Sequence, residues 1–292
     1  MPRSSPQTVR LVSIVQLLAT EPDEAFRLSD ISRRLRLDKA TVLPMLSALV
    51  DAGWLARRGD TKAYVLGPAL VGIGNAAARR FPGSASVRSM LLALSEEWGL
   101  SFLAFSEDAG YATLVDHVWD MRITLQHQVP PLHIGQRLPI RAPFGATFAA
   151  YGGEAAIERW LADVPESQRP RLREGLERLR DEGFGVELRT PGQDELSDHS
   201  PEEFLAQVLD SAVTEPAALT PVLDPDREYA VSTAVAPVSP DGRRVALTLV
   251  ASGFPERMAG RRLIELGEDM RRRAATIAGE LRAQMDVRTT AS

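Results

Sequence analysis

The sequence predicts an α+β protein in two parts: a small helical head closed by a β-hairpin, and a larger body of antiparallel strands flanked by helices. Three observations lead there. Apolar residues recur at helical spacing through the first fifty positions, then give way to short β-like runs around a glycine turn. Of the chain's 34 Lys+Arg and 39 Asp+Glu, the first 80 residues hold 12 and 7, leaving an acidic remainder of 22 against 32. A small basic head can meet phosphate where an acidic body cannot. At 292 residues the chain suffices for two domains of ~100–200 residues, each with its own core.

In the head, Val9, Val12, Ile14, Val15 and Leu18 fall near i, i+3, i+4 spacing and predict an amphipathic helix over 8–19, closed by Pro22. Ser29 is placed to cap a second helix bearing Leu28, Ile31 and Leu35. After a turn at 36–38, Asp38 is placed to cap a third helix reaching about Ala52. Its buried face is Val42, Met45, Leu46 and Leu49, and Gly53 stops it. Residues 54–57 and 63–66, joined by Gly59, Asp60 and Thr61, read as a hairpin. Helix, turn, helix and hairpin make a winged helix-turn-helix. Arg57, Arg58 and Lys62 set three cations at the wing tip, within reach of backbone phosphate or the minor groove, although exposed hairpins also carry charge simply to stay soluble.

Pro68 opens a linker helix through Leu70, Ile73 and Ala77. Gly72 to Ala77 spell G-x-G-x-x-A there, but that fingerprint binds dinucleotides only as a strand-to-helix turn, and no strand precedes it. The break at 81–84 sets the expected domains: head 1–67, linker helix 68–83 and body 84–292. The body begins with a helix over 87–98 carrying Val87, Leu91, Leu94 and Trp98. Strands are predicted at 101–106, 111–118 and 122–128, then at 229–238 and 244–252 around a turn at Pro240, Asp241 and Gly242. Leu263, Leu266, Met270, Ala274, Ile277 and Leu281 form one stripe of a C-terminal helix. Residues 190–226, rich in Pro, Asp, Glu and Ser, read as a flexible insertion with one helical stretch at 201–213.

The absence of cysteine removes disulfide frameworks, thiolate nucleophiles, zinc fingers and iron–sulfur ligation, and suits a reducing cytoplasm. No apolar run approaches the ~18 residues that cross a bilayer, and the polar start lacks a signal-peptide core, so no membrane role is expected. The four histidines, His117, His127, His133 and His199, show no metal-ligand spacing. Neither a nucleophile elbow nor a phosphate-binding loop occurs. No catalytic residue, metal or cofactor is expected. Two other readings remain, a small-acid hydrolase or lyase built on the body, and a DNA-associated scaffold with a filled core.

On these residues the head resembles the IclR family of bacterial transcription regulators. Residues 26–74, FRLSDISRRLRLDKATVLPMLSALVDAGWLARRGDTKAYVLGPALVGIG, match the family's head nearly without gaps, through the wing end Tyr64, Leu66, Gly67 and Pro68. The resemblance implies that Lys39, Ala40, Thr41 and Val42 open the recognition helix. Lys39, Ala40, Thr41, Leu43 and Ser47 would then meet the major groove, beside Arg57, Arg58 and Lys62 of the wing. Pro44 departs from the family's pattern. Either the helix effectively begins near Thr41, so that the proline falls close to its first turn, or it kinks and presents Leu43 to a thymine methyl; the first is expected, because first-turn proline is common.

The likeness extends over most of 8–284, through Gly135, Arg137, Leu138 and Pro139, through Leu176, Leu179, Gly183, Phe184 and Val186, and through Ala236, Pro237 and Val238. It implies a GAF-like body that binds a small effector, an organic or aromatic acid, at Pro143, Phe144, Gly145, Ala146, Thr233, Val250 and Ser252. An acidic pocket residue of some relatives falls at Asp224 or Asp226. Chemically, Gly145 and Ala146 open a helix whose amides can meet an anion, Thr233 and Ser252 can donate to a carboxylate, and Arg141 is the nearest cation or else a solvated loop arginine. Phe144 either faces an aromatic ligand or fills core, and His133 reads as a structural histidine. The implied protein is a cytoplasmic, cofactor-free DNA-binding regulator. It would be a dimer, possibly a tetramer, that reads a pseudo-palindromic operator in double-stranded DNA under effector control.

Overall fold

The computed structural model describes residues 5–20, 24–78, 84–119, 132, 134–189 and 219–290. The chain divides into two compact units, 1–82 and 83–292. The expected strand at 122–128, His133 and the helical stretch at 201–213 lie outside the described residues.

The first unit contains α1 (Pro6–Thr20), α2 (Leu28–Arg34), α3 (Lys39–Asp51), the strands β1 (Leu55–Arg57) and β2 (Tyr64–Leu66), and α4 (Ala69–Ala78). Its core is Ile14, Leu18, Phe26, Ile31, Val42, Met45, Leu46, Leu49, Leu55 and Tyr64. Ile14, Val15 and Leu18 face the core as expected of the α1 stripe, but Val9 and Val12 are exposed and Leu11 and Leu17 pack against the core in their place. Ser29 is not the cap of α2. The helix starts one residue earlier, and the Arg27 amide donates to the Asp30 carboxylate at 3.1 Å while the Asp30 amide donates back to the Arg27 carbonyl.

β1 and β2 pair antiparallel with Leu55 opposite Leu66 and Arg57 opposite Tyr64. Phe26 adds a bridge to Tyr64 through two backbone hydrogen bonds of 3.0 and 2.7 Å, so the hairpin is tied to the segment before α2. Two glycines seat the wing against the end of α3. Gly53 adopts φ +70°, and any Cβ at Gly67 would stand 2.2 Å from the Gly53 carbonyl oxygen.

The second unit is built on a six-stranded antiparallel sheet of β3 (Ser101–Asp108), β4 (Tyr111–Val118), β5 (Arg137–Pro139), β6 (Gly185–Leu188), β8 (Val231–Val238) and β9 (Leu247–Ser252), in the order β5-β4-β3-β9-β8-β6. A separate two-stranded ladder pairs β7 (Glu228–Tyr229) with β10 (Met258–Ala259). α5 (Ser84–Trp98) and α9 (Gly260–Thr290) cover one face of the large sheet, burying Phe102, Ala104, Ala234, Ala236, Leu249 and Ala251 beneath Leu91, Leu94, Leu266 and Met270. Gly267 lets α9 lie directly on the Phe184 ring, since a Cβ there would fall 2.2 Å from it. The Trp98 indole N–H donates to Asp269 at 3.0 Å and joins the two helices. Burial raises the Asp269 pKa, but hydrogen bonds from Trp98, Arg273 and Arg272 outweigh it and hold the carboxylate below its ordinary range.

The opposite face alternates with the first, as the pleat demands. It presents Leu103 and Phe105 of β3, Thr248, Val250 and Ser252 of β9, and Thr233 and Val235 of β8. Three short helices lie over it: α6 (Ala146–Tyr151), α7 (Glu154–Trp160) and α8 (Arg169–Glu182), the last ending at Gly183 with φ +73°. Their core is Ala142, Ala146, Ala149, Trp160, Leu161, Leu172, Leu176 and Leu179.

Candidate functional site

In the first unit, Asp38 stands before α3 in extended conformation. Its backbone carbonyl, not its side chain, accepts the Thr41 and Val42 amides at 3.0 Å. The helix therefore begins at Lys39 and not near Thr41. Pro44 is its sixth residue, in the second turn, where it cannot donate to the Ala40 carbonyl. Burial of Val42, Met45, Leu46 and Leu49 turns Lys39, Ala40, Leu43, Pro44 and Ser47 outward, and Thr41 is half-buried. Leu43 is 47% exposed. The outward stripe carries one cation, one hydroxyl and an apolar stretch between them, a surface suited to a methyl group more than to a string of hydrogen bonds.

Arg57, Arg58 and Lys62 are all exposed at the wing. The Arg57 guanidinium stacks 5.8 Å over the Tyr64 ring. The tip is ordered by its own backbone: Arg58 donates to the Ala63 carbonyl at 2.8 Å, Lys62 donates to the Arg58 carbonyl at 2.9 Å, and Thr61 donates to Asp60 Oδ1 at 2.8 Å. The third helix and the wing cations thus belong to one small, closely tied unit.

In the second unit, register places Val250 of β9 between Leu103 and Val235, with His117 beyond Leu103. In the adjoining row Ser252 faces Ser101 on one side and Thr233 on the other, and Thr233 faces Glu187 of β6. Thr233, Val250 and Ser252 are thereby brought together. Phe144 joins the cluster of Leu103, Phe105, Leu114, Leu138 and Phe148 on the same face, half-buried, and its carbonyl accepts the Trp160 indole N–H at 2.8 Å. Thr147 and Thr248 bond side chain to side chain and pin α6 to β9.

Other candidates are placed differently. Arg141 is exposed and paired with Asp163 at 3.2 Å, so its charge is engaged at the surface. Pro143 and Gly145 are half-buried, and Gly145 takes φ +77° with Ile140 against its α-carbon. Ala146 is buried at the start of a helix of only six residues, too short to sum a useful dipole toward an anion. Asp224 and Asp226 are both exposed; Asp226 meets Arg261 at 3.3 Å, and neither belongs to a strand of the large sheet.

An acid that does lie there, in the row of Thr233, is Glu187. The Thr233 hydroxyl donates to its Oε2 at 3.0 Å, and burial pushes its pKa up to about 7 against the opposing pull of that bond. His117 sits on the same face, its ring 5.2 Å from that of Trp119. Burial lowers the His117 pKa, with Asp116 opposing and Arg88 adding to the drop. His117 Nδ1 and Trp119 Nε1 are both buried without a hydrogen-bond partner. Sequence reading did not single out Glu187, His117 or Trp119 as candidates. A Glu inside a strand that follows a Gly-Phe-Gly turn is the one signal it offered. Among the described residues no group of three or more His, Cys, Asp or Glu is placed to hold a metal ion, and no helix is long and apolar enough to cross a membrane.

Comparison with known proteins agrees with the fold. Residues 7–59 match the IclR helix-turn-helix domain family. A search of curated protein sequences gave no match. Among solved structures, the Thermotoga maritima IclR is similar over 94% of this chain and 98% of its own, at 15% identity and a TM-score of 0.60. An IclR homolog from Microbacterium hydrocarbonoxydans, complexed with 4-hydroxybenzoate, is similar over 95% and 99%, at 18% identity and a TM-score of 0.55. Pseudomonas aeruginosa HmgR is similar over 92% and 99%, at 19% identity and a TM-score of 0.53. Residues 7–59 are thus an IclR-type helix-turn-helix domain, and the chain as a whole has the fold of IclR-family transcription regulators.

Proposed function

We propose that this protein is a transcription regulator that binds double-stranded DNA through its head and adjusts that binding to a small molecule held by its body. The observation that carries the reading is the outward stripe of α3, from Lys39 to Ser47, in the same unit as a wing bearing Arg57, Arg58 and Lys62, on a segment that matches the IclR helix-turn-helix. Lys39, Ala40, Thr41, Leu43 and Ser47 meet the major groove, and the wing cations meet phosphate. A dimer sets two such helices ~34 Å apart on a pseudo-palindromic operator. The domain limits are 1–67 for the head, 68–83 for the linker helix and 84–292 for the body, and the protein acts in the cytoplasm.

The effector site is the sheet face around Thr233, Val250, Ser252, Phe144 and the start of α6. Its apolar floor of Leu103, Phe105 and Phe148 suits an aromatic or organic acid. The solved relative that holds 4-hydroxybenzoate supports that class. Coupling of ~1–3 kcal/mol suffices to change operator affinity ~5–150-fold.

The test is salt-dependent binding of the purified protein to its own upstream intergenic DNA against a shuffled duplex of equal length. Selective binding with a steep salt slope is expected. Equal affinity for both duplexes at every salt concentration would overturn the regulator reading.

A further inference from the structure

The polar end of the sheet face centres on the pair Thr233 and Glu187. The Thr233 hydroxyl carries one proton, and it is spent on Glu187 Oε2 at 3.0 Å. What Thr233 still offers a ligand is its oxygen lone pairs. While that bond holds, the proton that Thr233 was expected to give an effector carboxylate is engaged by Glu187. Glu187 adds a carboxyl in the same row, one strand further along. Arg189, two residues from Glu187, donates to the carbonyls of Val231 and Phe254, and Arg141, the cation expected at the site, is paired with Asp163. Among the described residues, the titration of Glu187 is governed by its burial and, opposing it, by the Thr233 hydroxyl.

A second carboxylate brought to this row would be repelled by the ionised form of the half-buried Glu187 and would lose solvation there. A hydroxyl or ammonium group would instead satisfy both Glu187 and Thr233. We propose that Glu187, held by Thr233, is the specificity-determining residue of the effector site and selects ligands that carry a hydroxyl or ammonium group at this end. The inference rests on the effector-binding reading above and deepens it: the effector is an aromatic or organic molecule with a donor on the side that faces β6, whatever acid group it carries elsewhere. The apolar floor of Leu103, Phe105, Val250 and Phe148 takes the body of such a molecule.

A matched series isolates this end of the ligand: 4-(aminomethyl)benzoate, 4-(hydroxymethyl)benzoate, 4-methylbenzoate and terephthalate share a ring and one carboxylate and differ only in the para group. Binding to the full chain is followed by calorimetry, with the thermal midpoint as a second readout. The aminomethyl and hydroxymethyl probes are expected to bind at least tenfold more tightly than the methyl probe, with terephthalate weakest. Glu187→Gln, close to isosteric, is expected to erase the aminomethyl advantage and restore terephthalate to the level of the methyl probe, and Glu187→Asp to keep the wild-type order at lower affinity. Terephthalate binding as well as the aminomethyl probe, an order unchanged in Glu187→Gln, or no binding by any of the four would overturn the proposal. Duplex binding measured on the same samples separates the two readings. Loss of sequence-selective DNA binding with the ligand order intact overturns the regulator and leaves the subsite standing. Selective DNA binding with the ligand order absent does the reverse.

Discussion

Thr147 of α6 and Thr248 of β9 place their hydroxyl oxygens 2.5 Å apart, with the two residues only 1% and 4% exposed. This bond anchors the helix that overlies the sheet face. Replacing either threonine by valine leaves the other hydroxyl buried without a partner, at a cost of ~1–3 kcal/mol, whereas replacing both removes the unmet group and returns much of that loss. Urea unfolding of Thr147→Val, Thr248→Val and the double variant checks this through a double-mutant cycle. Simple addition of the two single losses would show that the hydroxyls act independently.

Much of this architecture is legible in the chain because it depends on local periodicity. The stripe of Val42, Met45, Leu46 and Leu49, the hairpin at 55–66 and the apolar stripe of α9 are all readable from residues within a few turns of one another. Val9 and Val12 show the limit of that logic. They share helical spacing with Ile14 and Leu18, but a 15-residue helix offers more than one apolar face, and which one meets Phe26 and Ile31 is set by distant residues. The cap of α2 was missed for a related reason, since Ser29 has the right chemistry but Asp30 reaches back to the Arg27 amide. Glu187 was the least legible. It gains meaning only from the register that sets it beside Thr233, 46 positions later, which in turn faces Ser252.

Pro44 lies exposed inside α3, and alanine there restores an amide donor to the Ala40 carbonyl. Interior proline costs ~3 kcal/mol in a helix, and the stiffness it lends the unfolded chain recovers ~1 of these, so Pro44→Ala is expected to stabilise the head by ~2 kcal/mol. Thermal or urea unfolding of the full chain, read at a probe in the head, measures it. An unchanged or lower midpoint would mean that the helix has already relaxed around the proline.

The raised pKa of Glu187 makes stability depend on pH with a defined sign. A carboxyl that titrates at 4.5 in the unfolded chain and about 7 in the folded protein keeps its proton more readily when folded. Its contribution is complete below pH 4.5 and is lost as pH rises through about 7. The full swing is on the order of 3 kcal/mol. His117, whose pKa burial lowers, acts oppositely and favours the fold as pH rises through its ordinary 6.5. Glu187→Gln should therefore flatten the decline between pH 5 and 7.5 and leave the His117 rise, as followed by urea midpoints across that range. An identical profile in wild type and variant would refute the assignment.

Lys39 opens the outward stripe of α3 and is exposed, with the apolar Leu43 and the Ser47 hydroxyl one and two turns further on. If it meets a phosphate, Lys39→Ala weakens every duplex by a similar factor and makes the plot of log K against log salt shallower by about 0.9. If it meets a guanine edge, the loss concentrates on sequences that carry that base, at ~1–3 kcal/mol, and the slope changes little. The first outcome is expected, because a lysine at a helix N-terminus is a flexible point charge without the paired donors that read a base edge. Probe binding by the body should be unchanged in either case. A parallel loss of DNA and ligand binding would trace the effect to unfolding, which the same variant's thermal midpoint would register.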